Sequence, residues 1–419
     1  MTDVIVIGGG TAGAAAAALC ARHGMRTVCV ERGPLAEAGA RWVNGVPAWS
    51  FDVAGFPAPE GAELLGAGGP FHLVAGYGPH RIVIEDHGVL EVDMRALVAR
   101  LQRAALEAGA ELREGVRVTG WDGDALQTDR GPMRARFVID ASGLTGARLL
   151  DPPRVAPKDL CAAAQQVHRI ADPAAARGFF AEHRTPLGQV LCFAGVAGGY
   201  SILNLRADGD HVSFLTGSIP SLGHPSGKAI LDDFVDRHAW VGERLYGGAR
   251  VIPLRRPFDR LAAGPVAAIG DAGSQVFPAH GSGIGAGMVA ARMLADELAL
   301  GGTPHTWAVT WQRKLGGIYA AYDLFRRFSS TLTPADIERL MTSGLMDPVM
   351  ARAAMAQELP RLDLRAAAQK ALALPRAPGL AVRMSGVLAR MAAALALYKR
   401  YPAEPARLPA WSRRVARLF

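Results

Sequence analysis

Apolar positions in this chain fall into short runs of strand length separated by glycine turns and helical stretches, and the first thirty residues set the pattern. The run Val4–Ile7 ends in Gly8-Gly9-Gly10-Thr11-Ala12-Gly13 and leads into an alanine-rich segment, and a second run, Thr27–Val30, closes on Glu31. Strand, glycine turn, helix, strand and acid in this order predict a βαβ unit that holds a dinucleotide with its pyrophosphate on the helix N-terminus. Gly8 permits the turn, Gly10 lets the backbone approach the phosphates, and Gly13 lets helix and strand pack closely. Glu31, about 20 residues beyond the glycines, is placed to accept from ribose hydroxyls.

Two later segments repeat the strand-then-small-residue pattern. Residues 136–143, RFVIDASG, are an apolar strand ending in an acid, Asp140, whose position suits a ribityl hydroxyl. Residues 266–287, VAAIGDAGSQVFPAHGSGIGAG, are a strand, then Gly270-Asp271, then a glycine-rich helix start after Pro278. Such an N-terminus suits a ring edge that becomes anionic on reduction. Between them, residues 91–120 predict a helix closed by Gly109 and a returning strand. Residues 155–250 are strand-rich, with a hairpin at Asp208-Gly209. Residues 46–90 are rich in Gly, Pro and aromatics (Trp49, Phe51, Phe56, Phe71) and suggest an excursion over the substrate side. The remainder is helical, broken by Pro360, Pro375 and Pro378.

Together the three small-residue segments resemble the FAD-binding pattern of para-hydroxybenzoate-hydroxylase-like flavoproteins, which makes FAD the expected cofactor. The implied fold is α/β: a Rossmann-type, glutathione-reductase-like FAD-binding domain (1–45, 91–154, 251–328), an interleaved β-sheet substrate domain (46–90, 155–250) and a helical C-terminal region (329–419). No second strand–GxGxxG–helix follows, so NAD(P)H or another electron donor is expected to act without a dedicated binding domain. A length of 419 residues agrees with two or three domains. The chain shows no run of about 18 uncharged apolar residues, so no membrane span is expected. The strand beginning by residue 3 leaves no room for a secretory leader, and a cytoplasmic location is expected. Cys20, Cys29, Cys161 and Cys192 have no metal spacing and read as core thiols, with a Cys161–Cys192 redox pairing as the alternative.

Charge is uneven. From Arg365 onward, eleven Lys/Arg (Arg365 and Lys370 among them) face one acid, Glu404; that +10, set against a total of +8, leaves −2 for the preceding residues. With helical apolar spacing at Val387, Met391, Leu395 and Tyr398, the tail reads either as a peripheral contact with anionic lipid or as a helical cap with a solvated basic face. Nucleic acid is excluded for want of an aromatic-interleaved basic platform.

The order of motifs, the VDxxxL helix start at Val92–Leu97, LCAAAQQVHRI at 160–170, AGGYSI at 197–202 and GDAGSQVFPAHGSGIGAGM at 270–288 resemble the geranylgeranyl reductase family of FAD-dependent oxidoreductases. The resemblance covers almost the whole chain. It implies FAD contacts at Gly8, Gly10, Thr11, Ala12, Gly13, Glu31, Arg32, Arg41, Val116, Asp140, Ala141, Gly270, Asp271, Gly281, Gly283 and Ile284, and a hydrophobic small-molecule substrate. The family's PxxYxWxFP substrate motif keeps only Tyr200 here: Ala197, Ile202, Asn204 and Leu205 stand at the other positions. Its P-x-T-G loop reads Pro278-Ala279-His280-Gly281.

Four residues are candidates for the chemistry. His280 either donates to flavin or substrate, or serves as general acid, or caps the glycine-rich turn. Tyr200 either protonates a carbanion or lines the wall. Trp42 is a candidate aromatic shelf and Asn44 a candidate polar anchor. The leading expectation is an enzyme that transfers hydride to or from a C=C bond. A monooxygenase is the main alternative, because it needs only a pocket that excludes water. An electron-transfer dehydrogenase working with a protein partner, a non-redox FAD cyclase and a halogenase follow. The halogenase is disfavoured because residues 1–157 contain no Lys to match the catalytic Lys those enzymes carry after the first βαβ unit, and GWxWxIP is absent.

Overall fold

The computed structural model describes residues 2–361 and 372–419, so the basic positions Arg365 and Lys370 lie outside the described residues. The predicted βαβ unit is present as the strand Thr2–Ile7, the helix Thr11–Arg22 and the strand Thr27–Val30. These two strands sit inside a six-stranded sheet, with Ala135–Asp140, Val266–Ala268 and Ala262–Ala263 on one side and Glu111–Arg113 on the other. Every neighbouring pair is parallel except the edge pair Ala262–Ala263 with Val266–Ala268. A parallel sheet must be covered on both faces, which explains why its strands are continuous apolar runs. Ala14–Ala18 are fully buried where the first helix meets the helices Ile284–Ala299 and Met94–Glu107. Small side chains let these three axes come close.

A seven-stranded sheet carries the second half of the molecule, in the order Val241–Pro253, Leu160–Ile170, His211–Ser218, Ser201–Asp208, Val190–Ala194, Phe71–Ala75, Arg81–Ile84. The hairpin expected at Asp208-Gly209 joins its third and fourth strands. Alternation along each strand gives the sheet two distinct faces. Leu203, Leu205, Val212 and Phe214 face back into a cluster with Phe180 and Phe234 of the helices Pro173–Glu182 and Gly227–Arg237. Cys161, Ala163, Gln165, Ile202, Asn204 and Leu215 face forward. A separate three-stranded sheet, Val43–Pro47, Val89–Asp93 and Leu64–Gly66, bridges the two halves.

The C-terminal region is helical, as expected. The helices Pro334–Ser343 and Pro348–Met355 lie against the strands Phe71–Ala75 and Arg81–Ile84. The helix Pro378–Lys399 lies against Gly317–Ser329, where it buries Leu380, Met384, Val387 and Tyr398. This 22-residue helix is long and apolar enough, by length and composition, to cross a membrane, although Arg383 and Arg390 interrupt its apolar run. One side of it packs on the protein, while Val382 remains 72% and Leu388 44% exposed.

A buried ionic network ties the helical region to the large sheet. Asp323, on Gly317–Ser329, accepts from Arg326 Nη2 at 2.7 Å, Arg327 Nε at 3.1 Å and the backbone N–H of Arg256 at 2.9 Å. Arg326 Nη2 also reaches Asp159 at 2.6 Å, next to the start of the strand Leu160–Ile170. This network was not foreseen, because its members come from three distant segments.

Candidate active site

The nucleotide end of the site is built from the glycine turn. Gly8 has φ +99, and a Cβ there would stand 2.6 Å from the Ala141 carbonyl oxygen. At Gly13 a Cβ would stand 1.8 Å from the Gly8 carbonyl oxygen, so strand and helix touch through bare backbone. Among the described residues, six helices are N-capped by side chains: Asp93, Asp172, Ser226, Thr303, Thr333 and Asp347. The two helices of the FAD motifs are not. Thr11–Arg22 begins after Gly10 and Ile284–Ala299 after Gly283, each without a side-chain cap or an acid in its first turn. Their first N–H groups therefore lack the partner that a helix start ordinarily has, which suits an anionic ligand.

Around these two termini the expected residues converge. Ala12 meets both Gly270 and Gly287, whose Cβ positions would lie 3.1 and 3.0 Å from the Ala12 methyl. Asp271 Oδ1 lies 3.2 Å from where a Gly283 Cβ would be. Glu31 accepts from the N–H of Gly9 at 2.8 Å and of Gly33 at 3.2 Å, while Val116 donates its N–H to the Glu31 carbonyl at 2.9 Å. Arg41 has a buried Nε with no partner, and its nearest carboxylate, Glu37, is 3.8 Å away. An unsatisfied guanidinium N–H two residues beyond Gly39, which packs against Gly10, suits a phosphate oxygen. Arg32 is exposed. The residues present thus fit FAD: the Gly8–Gly13 turn and Arg41 for the pyrophosphate, Glu31 for the ribose, and Gly281–Ile284 for the flavin edge.

Asp140 hydrogen-bonds within its own loop, as Glu31 does with Gly9 and Gly33. Asp140 is buried, and its carboxylate accepts from Ser142 N at 3.1 Å, Ser142 Oγ at 2.5 Å and Leu149 N at 3.1 Å. An acid at the end of a strand can order its own loop as readily as it can face a ligand. Gln102 is a contributor that sequence reasoning missed. Its Nε2 donates to the Gly9 carbonyl at 2.9 Å and the Leu35 carbonyl at 3.0 Å, so it ties down the glycine turn from the helix Met94–Glu107. Nothing in its spacing distinguishes it from a solvated helix residue.

Beyond the second helix start lies a cavity of about 610 Å³. The forward face of the large sheet forms one wall, the C-terminal helices form another with Ile337, Leu340, Met341, Met350 and Met391, and the loop Ala279–Ser282 closes one end. That loop is held by Ser282 Oγ donating to the Gly45 carbonyl at 3.1 Å. His280, Tyr200 and Asn44 all line the cavity. Trp42 does not. Its ring lies over Gly248, where a Cβ would come within 2.5 Å of Cζ2, so it packs on the sheet's edge strand rather than forming a shelf in the cavity. Gln165, also missed from sequence, donates to the Val43 carbonyl at 2.9 Å and pins the segment that carries Asn44.

Burial sets the protonation states. His280 is pulled down to about 4 by desolvation, against smaller opposing contributions from the backbone, and its Nε2 has no partner. Near neutral pH it is a neutral imidazole able to hydrogen-bond, which favours the donor role over the general-acid role among those expected of it. The phenol of Tyr200 is pushed well above 10 by burial and keeps its proton. Burial likewise pushes Cys161 and Cys192 to about 12; both are free thiols and chemically inert.

Comparison with known proteins agrees with this geometry. The FAD binding domain family matches residues 3–51. A digeranylgeranylglycerophospholipid reductase of Sulfolobus acidocaldarius is 24% identical over 447 aligned residues, spanning 99% of this chain and 96% of the relative. These matches support the resemblance of the chain to the geranylgeranyl reductase family of FAD-dependent oxidoreductases. A menaquinone reductase of Mycolicibacterium smegmatis is 25% identical, covering 79% of this chain and 84% of its own length. Among solved structures, a geranylgeranyl bacteriochlorophyll reductase-like protein from Thermoplasma acidophilum superposes with a TM-score of 0.72 at 15% identity, covering 92% and 98% of the two chains. The myxobacterial chondrochloren halogenase gives 0.61 at 17% identity over 90% and 96%. At these identities the structural likeness establishes the fold, which reductases and halogenases share. Within it, this chain is an FAD-dependent oxidoreductase with a predominantly apolar cavity.

Proposed function

We propose that this enzyme reduces a C=C bond of an isoprenoid-like, hydrophobic substrate. The observation that carries the reading is the large apolar cavity, which ends at the loop Ala279–Ser282 beside the uncapped helix start. The relatives named as prenyl-lipid and quinone reductases support it. Bound FAD supplies hydride-transfer chemistry. The chain's own residues do the rest. The apolar wall holds the substrate and excludes water, and burial keeps Tyr200 protonated as a neutral acid facing the cavity. Neutral His280 orients substrate or cofactor through hydrogen bonds. Asn44 serves as a polar anchor at the cavity wall.

The electron donor in this reading is NAD(P)H or a reduced protein partner, acting without a dedicated domain. Leu388 both lines the cavity and is exposed, on a helix that also carries Val382, Arg383 and Arg390. Peripheral contact of this enzyme with anionic lipid, from a cytoplasmic location, would let an apolar substrate enter there. Sedimentation with anionic vesicles that persists at low salt and falls at high salt is the expected result; absence of binding removes the lipid contact from the proposal.

The reaction itself is tested anaerobically. Dithionite-reduced holoenzyme incubated with geranylgeraniol should give products heavier by multiples of two hydrogens. No such product, together with substrate-stimulated oxygen consumption and a hydroxylated product in air, overturns the reductase reading in favour of a monooxygenase.

A further inference from the structure

The forward face of the large sheet is graded along its strands. One row across the sheet, Ala163, Gly217, Ile202 and Ala194, is small and apolar. The next row, Gln165, Leu215, Asn204, Cys192 and Leu73, contains two amides. A further step brings Ser213 and Arg206. Successive rows are about 7 Å apart, because side chains on one face repeat every second residue.

The Gln165 amide is engaged with the Val43 carbonyl at 2.9 Å. Asn204 is different: it lines the cavity, its Oδ1 is buried, and that oxygen has no hydrogen-bond partner. A buried amide without a partner is costly, by the full desolvation of the group, unless a ligand completes it. An amide offers both an acceptor and a donor, and rotation by half a turn exchanges them.

The charges nearby restrict what that ligand group can be. Among the described residues lining the cavity, the side chains with formal charge are Glu91 and Arg206. Arg206 pairs with Glu91 through Nη1 and with Asp208 through Nη2 at 3.0 Å, so one cation already answers two carboxylates. A phosphate or diphosphate would meet net negative charge here. A neutral group that both donates and accepts would not.

We infer that Asn204 recognises a neutral hydroxyl on the substrate, and that this cavity selects isoprenoids with an uncharged hydroxyl head over those bearing a phosphate. The inference rests on the isoprenoid reading and adds the head-group class. Equilibrium binding to the FAD-loaded enzyme tests it, with the flavin absorbance as readout and three probes: geranylgeraniol, its methyl ether and geranylgeranyl diphosphate. In the wild type, the alcohol should bind at least about tenfold tighter than the diphosphate, and about fivefold tighter than the ether, which cannot donate. In Asn204→Leu the alcohol should weaken about 5- to 30-fold while the ether is unchanged within about twofold. The wild-type comparison stands even where the variant fails to fold. Tighter binding of the diphosphate, or equal binding of alcohol and ether, overturns the Asn204 assignment and leaves the reductase reading intact. Binding of none of the three overturns the isoprenoid reading and this inference with it.

Discussion

Asp323 offers the sharpest test of how the helical region holds the substrate wall in place. It is fully buried, and its carboxylate answers Arg326, Arg327 and the Arg256 backbone at 2.7–3.1 Å. Asp323→Asn keeps the shape, removes the charge and turns an N–H₂ toward groups that are themselves donors. Arg326 is 2% exposed, so it cannot recover its lost partner from water. Breaking a buried ion pair by neutralising one partner costs about 3–5 kcal/mol, a large part of a typical total stability of roughly 5–15 kcal/mol. Because Arg326 also grips Asp159 beside the strand that presents Cys161, Ala163 and Gln165, the loss should be felt at the cavity. The expected result is a thermal midpoint lower by about 6–10 °C, using roughly 2 °C per kcal/mol for a large domain. Weaker binding of an apolar probe should accompany it. Differential scanning calorimetry of the FAD-loaded protein measures the first and probe titration the second. A destabilisation below about 1 kcal/mol would refute the claim that these charges are desolvated and mutually dependent.

Three other expectations follow from the site. His280 has its folded pKa depressed from 6.5 to about 4, so the folded state binds fewer protons than the unfolded state between those values. Its contribution is therefore full above about pH 6.5 and fades as pH falls toward 4, a loss of order 2–3 kcal/mol; melting curves across pH 4–8 should show this slope, and His280→Gln should flatten it. Tyr200→Phe should lower the anaerobic reduction rate by about 10²-fold or more while leaving FAD content unchanged, since only the proton donor is removed; an unchanged rate assigns Tyr200 to the wall. Gly13→Ala places a methyl 1.8 Å from the Gly8 carbonyl oxygen, so the protein should purify without bound FAD, measured by absorbance near the flavin band; full occupancy would contradict the close strand–helix contact.

The local chain determined the cofactor half of this protein. A strand, a glycine turn and a helix start are consecutive in sequence, and their conformations follow from residues such as Gly8, Gly10 and Gly13 that have few alternatives. The hairpin at Asp208-Gly209 and the strand Leu160–Ile170 were legible for the same reason. Tertiary structure decided the rest. Trp42 had suitable neighbours in sequence, yet the bare Gly248 backbone took it. His280 could not be assigned a charge until its burial was known. Gln102, Gln165 and Asp323 carried no spacing signal, because each acts on segments distant in the chain, and Asn204 stood at a motif position whose unpartnered oxygen only the fold displays. Which side of a strand faces a cavity, and which polar atom is left there without a partner, depends on how distant elements stack, and the chain brings those together only by folding.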